Sequence, residues 1–132
     1  MARSNIIEYF LFASAGNATD FGDLGATRKG TPNAVSDGIK GVVAGGQDGD
    51  GDNTNSMEVV TIATTGNATD FGDLTQARHQ VGGASSNVTG VYAGGASNTN
   101  IMDYITIATA SNATDFGDLL AAKHGTSGAS GD

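Results

Sequence analysis

The chain has 132 residues and a formal net charge of −8, with 21 Gly, one Pro, and neither Cys nor Trp. That length holds one domain with a modest core. The acidic balance excludes a general binder of nucleic-acid phosphates, which needs a basic surface, and the lack of Cys excludes a disulfide framework and a thiolate metal site.

In chain order, the first predicted strand covers residues 6–14, and a second completes GNATDFGDL at 16–24. The opening reads poorly as a signal peptide, because Glu8 interrupts its apolar stretch, and the longest apolar run, 9–13, is too short to span a membrane. Arg28 follows, then short strands at 31–37 and 41–45, the latter inside GVVAGG at 41–46. An acidic stretch, QDGDGDN, occupies 47–53. Strands are then predicted over 57–64 and 68–74, followed by Arg78. The same series recurs at 81–87, 90–94, 102–109 and 113–119, followed by Lys123 and a last SGASG at 127–131. Within MEVVTIAT, Val60 and Ile62 alternate with Thr61 and Ala63, the pattern of a half-buried strand.

The organisation is therefore a repeat. GNATDFGDL at 16–24 returns at 66–74, and SNATDFGDL stands at 111–119. Aligned on these, IEYFLFAS (7–14), MEVVTIAT (57–64) and MDYITIAT (102–109) share an acid at the second place: Glu8, Glu58 and Asp103. Each full unit reads as four short antiparallel strands, a to d, with Gly and Asn turns between them. The expected divisions of this single repeat domain are 1–24 (strands c and d), 25–74 and 75–119 (full units), and 120–132 (the start of another). Phe21, Phe71 and Phe116 are expected to fill one gap each between neighbouring sheets. The acids Asp20, Asp70, Asp115, Asp23, Asp73 and Asp118 are expected to bond local backbone or to face Arg28, Arg78 and Lys123 in exposed pairs. Asn17, Asn67 and Asn112 suit c–d turns, so these Asn-x-Thr triplets, and Asn87, read as turns rather than glycosylation sites.

The arrangement resembles a kelch repeat. Arg78 precedes strand a, Tyr92-Ala93-Gly94-Gly95 ends strand b, and Phe116 is the strand-d aromatic; the unit before shows Arg28, Val43-Ala44-Gly45-Gly46 and Phe71. Kelch repeats more often carry Trp than Phe in strand d, and Val43 replaces the usual Tyr. The resemblance implies an all-β fold of four-stranded propeller blades every 45–50 residues, about 2.75 blades in this chain. A prism-like stack of three sheets is the alternative. The wording TIATTGNATDFGDLT with YAGG also resembles repeats in virion and tail-associated proteins of tailed bacteriophages. The expected strand count is eleven, from c and d, two full units and a final a, which does not close a ring. Either copies assemble, a dimer giving about six blades, or the chain is part of a longer repeat protein.

Chemical motifs are few. Asp-Phe-Gly occurs three times without the Gly-rich loop, strand Lys or His-Arg-Asp of a kinase. Asp48, Asp50 and Asp52 alternate as calcium ligands would, but the EF-hand places 6 and 12 hold Asn53 and Val59, so a solvated acidic loop is the preferred reading. No other cofactor is implied. His79 and His124 lack a third ligand at a zinc spacing. The expectation is a non-enzymatic structural or adhesive virion protein, homo-oligomeric, contacting other virion proteins and host-surface glycans, with no nucleic-acid or membrane partner. A carbohydrate-binding module is the alternative and a hydrolase a third reading. Secretion or a cell-surface position is the alternative to the virion.

Overall fold

The computed structural model describes residues 3–30, 32–96, 99–128 and 130. These contain ten strands and no helix. The first sheet pairs β1 (Ser4–Tyr9) with β2 (Thr19–Arg28). The second is the antiparallel meander β3 (Asn33–Ser36), β4 (Lys40–Ala44), β5 (Ser56–Thr61) and β6 (Thr69–Asp73). The third repeats it with β7 (Gly82–Ser85), β8 (Thr89–Ala93), β9 (Ile101–Thr106) and β10 (Thr114–Asp118). The fold is thus all-β, in three antiparallel sheets, none of them closed. Strands a to d of each predicted unit fall on these elements in order. The eleventh predicted strand, over 127–131, is not assigned as one; Ala129 and Gly131 lie outside the described residues, whereas Ser130 lies along β7.

The hairpins are closed by short polar side chains. The Asp37 carboxylate accepts the amides of Ile39 and Lys40 at 2.8 and 2.7 Å, and Gly38 between them has φ +86°. Such Asx turns suit Asp because its short side chain mimics a backbone acceptor. In the third sheet Ser86 performs the same task for Val88 and Thr89.

Every c–d pairing carries the same irregularity. Glu58 faces Asp70 and Met57 faces Gly72, so Phe71 is an extra residue between them. Phe21 and Phe116 are extra in the same way. A bulge of this kind bends the strand and re-aims the side chain it inserts. Asp-Phe-Gly is therefore a bulge sequence: the Asp and Gly pair with strand c, and the Phe is thrown out of register.

The main core lies between the second and third sheets. Val35, Val42, Met57, Phe71, Tyr92 and Ile105 are among its buried members. Phe71 is 2 % exposed and Phe21, packed edge-on against Tyr9, is 8 % exposed. Phe116 departs from expectation: it is 57 % exposed, with the Tyr104 ring edge-to-face against it. The strand-d Phe is covered by the sheet that follows, and among the described residues no further sheet follows the third.

Candidate functional site

The residues that repeat converge on the seams between sheets. At the first seam the turn before β6 reaches back to β2. Gly66 and Ala68 donate to the carbonyls of Phe21 and Asp23 at 2.7 and 2.8 Å, and the Asp23 amide donates to Asn67 Oδ1 at 3.0 Å. At the second seam Ala113 donates to the Asp73 carbonyl at 2.8 Å, and the Asp73 amide to Asn112 Oδ1 at 3.0 Å. The turn of each unit thus clasps strand d of the unit before it. Gly22 and Gly72 are where these turns cross, at φ +146° and +133°; a Cβ on Gly72 would overlap the Ser111 carbonyl. Asn67 and Asn112 are accordingly turn residues, as expected, but with a cross-sheet acceptor role that local turn chemistry did not reveal.

The glycine pairs sit deeper in the same seams. Gly45 and Gly46 are buried at φ +69° and +101°, Gly94 and Gly95 at +65° and +127°. The Gly46 amide donates to the Arg78 carbonyl at 3.0 Å and the Gly95 amide to that of Lys123 at 2.8 Å. A Cβ on Gly45 would lie 2.5 Å from the Arg78 carbonyl oxygen, closer than real contacts allow. Inner strands also approach closely: Ser36 and Ser85 donate their amides to Ser85 Oγ and Ser130 Oγ at 3.3 and 3.0 Å, respectively.

The arginines do not face the Asp-Phe-Gly acids. Arg78 Nη2 pairs with Asp103 Oδ2 at 2.9 Å, and both side chains are 0 % exposed. Arg28 Nη2 pairs with Glu58 Oε1 at 2.5 Å, also buried. The partners are the strand-c acids, which the repeat alignment had marked without assigning a role. The expected exposed pairs are thereby corrected: these are core ion pairs, and Asp20, Asp70, Asp73, Asp115 and Asp118 are solvent-exposed. Additional bonds complete each site. Asp103 also accepts Thr75 Oγ1 at 2.5 Å and the Thr75 amide at 3.2 Å, while Glu58 accepts the Gly25 amide at 2.6 Å. Burial pulls the Arg78 guanidinium below its ordinary value, and the Asp103 charge works against that. Lys123 repeats the backbone bonds of Arg78, but its side chain is exposed, as is that of Glu8.

The acidic loop satisfies itself. Asp48 Oδ1 accepts the amides of Asp50, Gly51 and Asp52 at 2.9, 3.0 and 3.0 Å. Partial desolvation raises the Asp48 pKa, but the backbone donors outweigh it and hold the carboxyl below its usual range. Asp50 and Asp52 are exposed, and among the described residues no three His, Cys, Asp or Glu side chains are gathered to hold a metal. His79 bonds Asn53 Oδ1 through Nδ1 at 2.8 Å, and His124 is exposed.

No protein-family model matches the chain, and no curated protein matches it either. Besides the seams, the first sheet carries a groove of about 550 Å³ bounded by Tyr9, Phe10, Phe12, Phe21, Val60 and Ile62. Phe10 is 62 % and Phe12 97 % exposed. Their counterparts in the third unit, Ile105 and Ile107, are buried. The enlarged aromatic side chains were visible in the alignment of IEYFLFAS with MDYITIAT; their exposure was not.

Proposed function

We propose that the chain is a non-enzymatic interaction scaffold made of kelch-like propeller blades, serving as a structural or adhesive component of a virion. The observation that carries the scaffold reading is where the repeated chemistry goes. The Asn turns, Asp-Phe-Gly bulges, glycine pairs and buried Arg–acid pairs all join sheet to sheet, which rigidifies the array. A rigid array presents loops at fixed spacing, and several weak contacts then add through avidity. The adjacency of β3, β7 and Ser130 supports a blade arrangement, because blades meet along their first strands. The virion location rests on the likeness of the repeated wording to phage tail-associated repeats.

Mass spectrometry of gradient-purified particles tests the location. Peptides of this chain at stoichiometric abundance support it, and their absence from particles overturns it.

A glycan-binding reading is favoured by one specific observation, the exposed Phe10 and Phe12 beside an open groove. Aromatic faces of this kind bury apolar sugar surface at little conformational cost. A glycan array with the wild-type chain and Phe12→Ala distinguishes the readings. Binding that is lost in the variant supports the module, and no binding at all leaves the scaffold role alone.

A further inference from the structure

We infer that the two open faces of the array are complementary, and that the face of the first sheet takes the face of the third sheet of a second copy. This rests on the scaffold reading, though not on its virion location. The argument is one of register. Two seams within the chain use the same parts, and each part has one further copy left over at the ends.

The clasp is the first part. Asn67 accepts the amide of Asp23, and Asn112 accepts that of Asp73. The remaining turn Asn is Asn17, and the remaining residue on the side that donates its amide is Asp118; both are exposed. The second part is the strand-d aromatic. Phe71 is buried by the third sheet, where Ile105 and Ile107 are themselves buried. The remaining Phe116 is exposed, whereas Phe10 and Phe12, the counterparts of those two isoleucines, line the groove shared with Val60 of the second sheet and Ile62 just after β5. The third part is the ion pair. Arg28 meets Glu58, and Arg78 meets Asp103. The remaining base and acid are Lys123 and Glu8, both exposed and opposite in charge. The clasp and the ion pair therefore each leave one half at either end, and each half fits the other. A contact of this head-to-tail type is heterologous: it closes a ring if the rotation allows, and otherwise continues as a linear series.

The chain contains no Cys, so introduced thiols report the contact directly. Ala18→Cys keeps Asn17 and places a thiol in the turn; Asp118→Cys places one on the opposite face. Equimolar mixing of the two single variants under mild oxidation is expected to give mainly the mixed disulfide dimer. Sedimentation equilibrium of the wild-type chain is expected to show association. Asn17→Ala should weaken it about 2- to 13-fold, the factor for one ordinary hydrogen bond. Phe116→Asp should weaken it by at least about 10-fold, as loss of a buried ring requires. Both substituted side chains are exposed, so the folded chain, checked by circular dichroism, survives either change.

A folded wild-type chain that stays monomeric into the millimolar range overturns the inference. So does association that neither variant weakens, or disulfides that form as readily between identical variants as between different ones. The scaffold reading fails separately: it is sunk if the sheets exchange amide protons as independent units rather than as one array, whatever the solution mass.

Discussion

Replacing Asp103 with Ala should be among the most damaging single changes to this protein. Asp103 is fully buried and takes three bonds: Arg78 Nη2 at 2.9 Å, Thr75 Oγ1 at 2.5 Å and the Thr75 amide at 3.2 Å. Without it, the Arg78 guanidinium keeps, among the described residues, a single 3.3 Å bond to the Tyr92 carbonyl, since its Nε and Nη1 have no partner there. A buried charge stripped of its partner costs about 3–5 kcal/mol. Against a total stability of roughly 5–15 kcal/mol, that is a large share. At about 2.1 cal/mol/K of unfolding entropy per residue, the melting temperature should fall by about 10–18 °C. Thermal melts followed by circular dichroism measure the shift, and urea titration the free energy. The decisive comparison is Arg78→Met with Asp103→Leu, which removes both charges and should recover most of the loss. A single-variant cost below about 1 kcal/mol, or a double variant worse than either single one, would refute the claim that the two buried charges depend on each other.

The three identical Asp-Phe-Gly sites should respond differently. Phe71→Ala should cost about 3–5 kcal/mol by denaturant titration, and Phe116→Ala, read at the dilute limit, no more than about 1 kcal/mol. Gly72→Ala should be the worse of two alanine substitutions at the same φ of +133°, because its Cβ meets the Ser111 carbonyl, whereas at Gly117 the nearest atom is Met102 Cε at 4.0 Å; thermal melts of the pair compare them directly. Acid should loosen the two Asp-closed loops. Asp37, through the amides of Lys40 and Ile39, has its pKa lowered in the folded chain, and so does Asp48 once its amides outweigh desolvation. For a depressed carboxylate the contribution is complete above the unfolded pKa of about 3.9 and is lost as pH falls through the folded value. Amide protection relative to the unfolded chain at Ile39, Lys40 and residues 50–52 should therefore fall on acidification below about pH 4, while the β4 amides after Lys40 stay protected.

Much of this architecture was legible in the residues because repetition reports on itself. The strand order and the hairpin turns follow from alternation and from Gly, Asn and Asp at places that need turns. The acids Glu8, Glu58 and Asp103 stood out in the alignment, yet their partners did not. Arg78 and Asp103 are 25 positions apart and meet only when β9 lies under the segment after β6. Asp-Phe-Gly shows why identical letters do not mean identical roles. Local sequence determined that each copy pairs with strand c and throws out its Phe, because that geometry is a matter of neighbouring strands. Whether the Phe is then core or surface depends on a second sheet arriving over it. Phe71 has such a neighbour and Phe116 does not, and burial is a property of what covers a side chain, which only the tertiary structure decides.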